Sequence, residues 1–296
     1  MPEGAVAPEP STIESGAYQP LSRPLFIYVN KAALKRPEVV AYLNYYISEE
    51  GQELVSEVGY VRASAETFEK TKQILADALK EAGTTIPKKV TGEIKIDGSS
   101  TVYPVSVAVT EEFNAVQPKV KIPVAKSGTS GGMKRFYAGE IDICDASRAI
   151  KQKEIDECKK AGVEYIELKV GIDGLTVVVN AENDWCDGLT VEELKKIWEP
   201  DSQVKKWSDI NPDFPDEEIA LYGADSDSGT FDYFTEEICG EKGATRQDYN
   251  QSPDDNFLVT GVAGDKNAMA YFGYAYFIEN KDTLKALAIA PAATAE

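Results

Sequence analysis

GEIKIDGSSTVYP (92–104) alternates apolar Ile94 and Ile96 with polar neighbours. It turns at Gly98 through two serines and a threonine, and meets Pro104 at the head of an apolar run. Period-two alternation predicts a strand, and a proline there predicts a helix start, here from about Pro104 to Asn114. The order repeats in VKIPVAK (120–126, strand), SGTSGG (127–132, turn), MKRFYAG (133–139, helix) and IDICDAS (141–147, strand). Repeated strand–turn–helix units predict an α/β lobe.

A second block begins near Gly171 with GLTVVVN (174–180) and continues into VEELKKIW (191–198). Thr190 and Glu193 form a capping box at the start of that helix. EIALYGA (218–224) reads as a strand running into the turn DSDSGTFDYF (225–234). AMAYFGYAYF (268–277) reads as strand plus turn, and LKALAIAPAATAE (284–296) as strand plus tail. Toward the N-terminus, 1–20 read as loop and PLFIYVN (24–30) as a strand. A helix follows Pro37, burying Val39, Val40, Leu43, Tyr46 and Ile47. A second runs from Ala65 to Ala82, with Phe68, Ile74, Leu75 and Leu79 on its apolar side. AGTTIPKKVTG (82–92) has no apolar period and reads as a linker.

The 296 residues carry 50 Asp and Glu against 31 Lys and Arg, a net charge of −19, and no histidine. The acidic balance argues against nucleic acid and anionic membrane surfaces as partners. The missing histidine removes Ser-His-Asp and Cys-His catalysis and His-based zinc sites. No apolar run is long enough to cross a membrane. The start, MPEGAVAPEPS, lacks the basic and apolar regions of a secretion signal, so the chain as written is expected to stay where it is made.

Three segments share one chemistry: DGSSTVYP (97–104), SGTSGGMK (127–134) and DSDSGTFDYF (225–234). Each puts glycine and hydroxyls between a strand and a helix. Unpaired amides at a helix start, the helix dipole and Ser or Thr hydroxyls together cradle an anion. For any one turn, simple capping explains the serine or threonine; three in one acidic chain favour anion binding. Arg148, after IDICDAS, offers a formal positive charge, the plain alternative being a surface ion pair. No Walker A loop is present. Asp225, Asp227 and Glu236 fall on calcium-loop positions, but Gly229 and Thr230 spoil that pattern, and no cofactor or metal is expected.

IKIDGSSTVYPV (94–105), KSGTSGGMKRF (126–136), DICDASRAI (142–150), DGLTVVVN (173–180), DSDSGTFDYFTE (225–236) and TGVAGDKNAMAYFGYAYF (260–277), taken in order, resemble the phosphate-binding protein of bacterial ABC-type phosphate importers, the PstS type. The resemblance covers nearly the whole chain. It implies a two-lobed periplasmic-binding-protein fold, α/β and type II-like, with inorganic phosphate held between lobes. It also implies a periplasmic, monomeric receptor serving importer membrane subunits. In the family, GEIKIDGSST lies near the mature N-terminus and STIESGAYQPLSRPLFIYVN (11–30) follows the LKALAI strand; here the latter comes first. This order implies a circularly permuted chain, opened before Ser11, and an engineered one such as a sensor scaffold. Lobe one would be 22–170, including a linker at 82–91 that joins the original termini. Lobe two would be 171–289 plus 5–21, with 290–296 a tail.

Carried over turn by turn, the resemblance gives Ser99, Ser100, Thr101 and Val102 as one wall of the site, Thr129, Ser130 and Gly131 as a second, and Ser147 and Arg148 as a third. Ser228, Gly229 and Thr230 come from the other lobe. Many relatives have an arginine shortly before S-G-T. This chain has Ala224-Asp225-Ser226-Asp227, which leaves Arg148 as the anion clamp. Asp145 is expected to face the site, held ionised by Arg148, and to accept the proton that phosphate keeps and sulfate lacks; Asp227 is the alternative, and capping of the turn is the plain reading of Asp145. The four cysteines show no CxxC. Under this fold Cys144–Cys158 and Cys186–Cys239 are possible disulfides, although buried thiols are the plainer reading. Reversible phosphate capture, not catalysis, is the leading function. Sulfate or molybdate binding is the alternative in the same class, and phosphoester hydrolysis the alternative in another.

Overall fold

The computed structural model describes residues 1–85, 88–226 and 228–291. In chain order the elements begin with α1 (Pro10–Ser15), β1 (Ser22–Asn30), α2 (Pro37–Tyr46), α3 (Glu49–Glu57) and α4 (Ala65–Ala82). Then come β2 (Gly92–Glu93), β3 (Ile96–Gly98), α5 (Tyr103–Val116), β4 (Val120–Lys121), α6 (Thr129–Tyr137), β5 (Ile143–Ala146), α7 (Gln152–Ala161) and β6 (Tyr165–Asn180). The remainder is β7 (Gly188–Thr190), α8 (Val191–Trp198), α9 (Trp207–Ile210), β8 (Ala220–Ala224), α10 (Gly229–Phe234), β9 (Asn250–Ser252), α11 (Asp255–Ala263), β10 (Ala268–Gly273), α12 (Tyr274–Glu279), β11 (Leu284–Ala286) and β12 (Ala288–Ala290). The chain divides into two compact units, Pro24–Asp173 and Met1–Arg23 with Gly174–Glu296.

In the Pro24–Asp173 unit the strands run β3-β5-β1-β6. β3 lies parallel to β5, with Gly98 opposite Asp145, and β1 lies antiparallel to β5, with Ile27 opposite Asp145. Alternation along β1 sorts its side chains between two cores. Leu25, Ile27 and Val29 join Ile96, Ile143, Val105, Val109 and Phe113 beneath α2 and α5. Phe26 and Tyr28 join Met133, Phe136, Cys144, Ala146 and Cys158 beneath α6 and α7. Burial on both sheet faces requires this apolar continuity in β1, each such side chain contributing about 1.5–3 kcal/mol.

In the other unit β6, β10, β8 and β9 are neighbours in that order, with β11 paired to β6. β12 pairs parallel with β7, and Val6 and Ile289 exchange two backbone hydrogen bonds of 2.9 Å. Trp198, Phe234, Tyr249 and Tyr271 form an aromatic cluster, in which Phe234 and Tyr271 stack at 3.7 Å between centroids. Among the described residues no helix is long and apolar enough to cross a membrane.

Several local expectations are corrected. Residues 1–20 are not all loop. Pro10 begins α1, Thr12 Oγ1 accepts from Glu9 N at 2.9 Å, and left-handed Gly16 ends the helix with Ile13 buried. The strand foreseen over 120–126 is ordered as β4 for two residues, because Pro123 has no N–H to give a ladder. The segment still tracks β3, through Ile96 N to Pro123 O at 3.1 Å and Ala125 N to Ile96 O at 2.9 Å. After β10 the chain forms α12 instead of a turn, and the last strand is two, β11 and β12. On α4 the buried stripe is Phe68, Thr71, Leu75 and Ala78, while Ile74 is exposed. All four cysteines are free thiols, so neither disulfide is present. Burial pushes the Cys186 thiol up to about 12 and that of Cys144 higher still, which makes both poor nucleophiles.

Candidate functional site

The parallel ends of β3 and β5 lie side by side, and α6 packs across them. A Cβ on Gly132 would stand 2.6 Å from Gly98 Cα and 2.9 Å from Cys144 Sγ, so the helix start is pressed onto both strands. This contact brings the DGSS, SGTSGG and DASR segments to one edge of the Pro24–Asp173 unit. Thr129 Oγ1 accepts from Ser147 N at 3.2 Å and lies 3.4 Å from Ser147 Oγ. Arg148 Nη2 donates to Ser130 Oγ at 3.1 Å. Five of the expected residues, Thr129, Ser130, Gly131, Ser147 and Arg148, are thus assembled at the start of α6.

The three helix starts are not equivalent. Ser99 Oγ accepts from Thr101 N and Val102 N at 3.1 and 3.4 Å, so the turn before α5 is closed by its own serine. Thr101 O is taken by the Tyr60 hydroxyl at 2.8 Å, and Ser100 is half-buried beside it. Ser228 Oγ likewise accepts from Thr230 N at 3.1 Å ahead of α10, with Gly229 between them. For Ser228 the plain capping reading is realised, whereas Ser99 closes the turn ahead of α5, whose own N-cap position, Val102, has no side-chain hydrogen bond. The start of α6 has no side-chain cap; its first intrahelical bond runs from Gly132 N to Gly128 O, beyond the amides of Thr129, Ser130 and Gly131. Those amides point out of the helix toward the end where the dipole is positive.

Arg148 is held by a carboxylate. Its Nη1 and Nη2 donate to Glu154 Oε2 and Oε1 at 2.9 and 2.8 Å, a bidentate pair. Glu154 also accepts from Lys151 N at 2.9 Å at the start of α7. Against the cost of burial, these bonds hold Glu154 below the usual carboxylate range, and the pairing raises Arg148 further. The guanidinium is therefore fixed in direction, with its Nη2 edge on Ser130.

Sequence reasoning missed Asp97. Its Oδ1 accepts from Gly98 N at 2.8 Å and Ser127 N at 2.9 Å, and its Oδ2 from Arg135 Nη1 at 2.5 Å. Burial opposes its charge, but these donors prevail and lower its pKa. One carboxylate thus ties the DGSS turn to the SGTSGG turn. The D-G pair was visible in sequence as a turn signal; the reach to Ser127 and Arg135 was not.

Asp145 requires a correction. It was expected to face the site, paired with Arg148. Strand alternation places it with Ile143 on the opposite face of β5 from Cys144 and Ala146, and it is fully buried. Neither carboxyl oxygen has a cation or backbone amide on it, and the guanidinium that was to ionise it is engaged by Glu154. Burial pushes its pKa up to about 8, with the Ser106 hydroxyl opposing and the charge of Asp97 adding. Nor does its side chain cap the turn; its backbone carbonyl accepts from Ser99 N at 2.9 Å. The alternative, Asp227, lies outside the described residues.

In the other unit the fold brings Arg23 to α10, its guanidinium 3.6 Å from the centroid of the Tyr233 ring, whose hydroxyl donates to Pro20 O at 2.6 Å. Tyr233 stands one helical turn beyond Thr230, so a cation from more than two hundred residues away lies against the helix that lacks an arginine in its own turn. Among the described residues no group of three or more His, Cys, Asp or Glu side chains could hold a metal.

The α/β fold thus presents hydroxyls, open amides and one oriented guanidinium at its strand ends. The sequence pattern of the PBP superfamily domain matches residues 83–295. Protein SphX of Synechocystis sp. is 46% identical over 205 residues, 69% of this chain and 61% of that protein. Phosphate-binding protein PstS of Staphylococcus saprophyticus is 39% identical over 212 residues, 72% of this chain and 65% of that protein. The crystal structure of a possible phosphate binding protein from Planctomyces limnophilus is similar at a TM-score of 0.65 and 53% identity, covering 70% of this chain and 72% of that one. The chain belongs to the PBP superfamily, among its PstS-type members. It spans 61% of the length of SphX of Synechocystis sp. and 58% of that of SphX of Synechococcus elongatus.

Proposed function

We propose that the chain binds inorganic phosphate reversibly at the start of α6, outside the cytoplasm, and serves the membrane subunits of an ABC importer. The observation that carries this reading is the uncapped start of α6, with Thr129, Ser130 and Ser147 hydroxyls around it and the Arg148 guanidinium aimed along Ser130 by Glu154. Short hydrogen bonds from fixed donors suit a tetrahedral oxyanion, and local dipoles outweigh a screened net charge of −19. The phosphate-binding PstS of Staphylococcus saprophyticus and the possible phosphate binding protein of Planctomyces limnophilus support phosphate over other oxyanions. Hydroxyl donors and a guanidinium held in place by Glu154 suit reversible capture of an anion, and binding without catalysis is the reading adopted. Equilibrium dialysis with labelled phosphate tests the assignment. Arg148→Gln is expected to weaken binding about 10- to 100-fold, the worth of one charge-assisted hydrogen-bonding group. Undiminished affinity would reject the site. Ser228→Ala and Thr230→Val measure separately what the other turn contributes.

We further infer that the segment order is permuted relative to the family. Residues 83–295 match the family pattern, yet β1, which precedes them, is built between β5 and β6. Val6 and Ile289 are hydrogen-bonded neighbours, so a chain rejoined there would need few added residues.

A further inference from the structure

We propose that Asp145 is a positioning residue behind the anion site, and that its carboxyl must carry a proton for phosphate to bind tightly. The proposal rests on the phosphate reading of the α6 start. Asp145 is fully buried, with no cation or backbone amide on either carboxyl oxygen and only the Ser106 hydroxyl beside it, which costs far more for a carboxylate than for a carboxylic acid. The groups that face it supply no positive charge. From α2 come Tyr42 and Tyr46, whose own ionisation Asp145 opposes. From α5 comes Ser106, which lies 3.5 Å from the Tyr46 hydroxyl and whose carbonyl is 3.4 Å from that of Tyr42. From β3 comes Asp97, a like charge; from β1 comes Ile27; and Cys144 adjoins it along β5. The nearby cations are engaged elsewhere, Arg135 with Asp97 and Arg148 with Glu154. Burial raising the carboxyl to about 8 agrees with this surrounding.

Asp145 is nonetheless attached to the site. Its carbonyl accepts from Ser99 N, and two residues further along the same backbone stands Ser147. Phosphate at the strand end and a carboxylate just inside it repel each other through a weakly screening interior. Bound phosphate therefore favours the protonated acid, and by linkage the protonated acid favours phosphate. Where the free carboxyl is ionised, binding must draw a proton from solvent.

Calorimetric titration of the full chain with inorganic phosphate, in two buffers of different ionisation enthalpy at about pH 9, counts that proton. The wild type is expected to take up a substantial fraction of one proton, with affinity falling between about pH 7.5 and 9.5, at most tenfold per pH unit. Asp145→Asn is expected to show no uptake and a flat affinity across that range. Phosphate binding in the wild type without proton uptake overturns the proposal, and this measurement needs no variant to fold. Uptake that persists in Asp145→Asn assigns the proton elsewhere and overturns it equally. Absence of any phosphate heat at neutral pH instead removes the phosphate reading, and the proposal with it.

Discussion

Gly132 and Asp145 show how single residues set this site. A methyl on Gly132 would meet the Gly98 backbone at 2.6 Å, and backbone cannot swing aside as a side chain can. Gly132→Ala is therefore expected to lower stability by about 1–3 kcal/mol, read from a urea midpoint. Gly131→Ala meets the movable Ser127 hydroxyl at 2.7 Å and is expected to be milder. Asp145 acts on stability through pH. Its folded pKa of about 8 exceeds the unfolded carboxylate value, so the native state holds the extra proton between the two. Stability from this group falls as pH rises from about 4 to 8 and is flat above. Asp145→Asn is expected to be more stable than wild type at pH 8, by about 1 kcal/mol or more, with the gain shrinking toward pH 5. Thermal melts across that range check it, and an equal deficit at every pH would show that shape, not charge, governs the position.

At the scale of elements, the starts of α5 and α6 divide the work that their sequences made look alike. Ser99→Ala removes the hydroxyl that closes the turn ahead of α5 and is expected to cost about 1 kcal/mol of stability. Ser130→Ala removes no cap, so it is expected to leave the melting temperature within a degree or two while weakening phosphate binding several-fold. A variant pair with these effects exchanged would contradict the division. Much of this was legible in the residues: β3, α5, α6 and β5 follow from the apolar period and the Gly-Ser turns, and the Thr190–Glu193 box closes as its spacing required, with Glu193 N to Thr190 Oγ1 at 3.1 Å. What was not legible depended on tertiary partners. Which serine caps and which stays open is decided by the Thr129–Ser147 contact across two segments. The direction of Asp145 is decided by the register of β5 against β1, and Arg148 is aimed by a glutamate six residues on whose carboxylate also caps α7. The arrival of Arg23 at Tyr233 has no local signal at all.

For the whole molecule, the inferred permutation makes a direct demand. A chain that begins at Gly83, continues through Pro291 and returns through residues 6–82 by a short linker is expected to fold with the same circular dichroism spectrum and phosphate affinity. The bonds between Val6 and Ile289 already hold those ends together. Loss of folding in that chain would count against the inferred order. Phosphate should also stabilise the fold by mass action, by about 2.7 kcal/mol at a hundred times the dissociation constant. The claim on which the rest depends is that the open start of α6 selects phosphate. It is tested most directly by calorimetry at neutral pH on protein stripped of bound anion, titrated with phosphate and then with sulfate. Saturable one-to-one binding of phosphate, with sulfate at least about a hundredfold weaker, a difference of about 2.7 kcal/mol, is the predicted result. Equal affinity for the two anions, or no heat from phosphate, would contradict it.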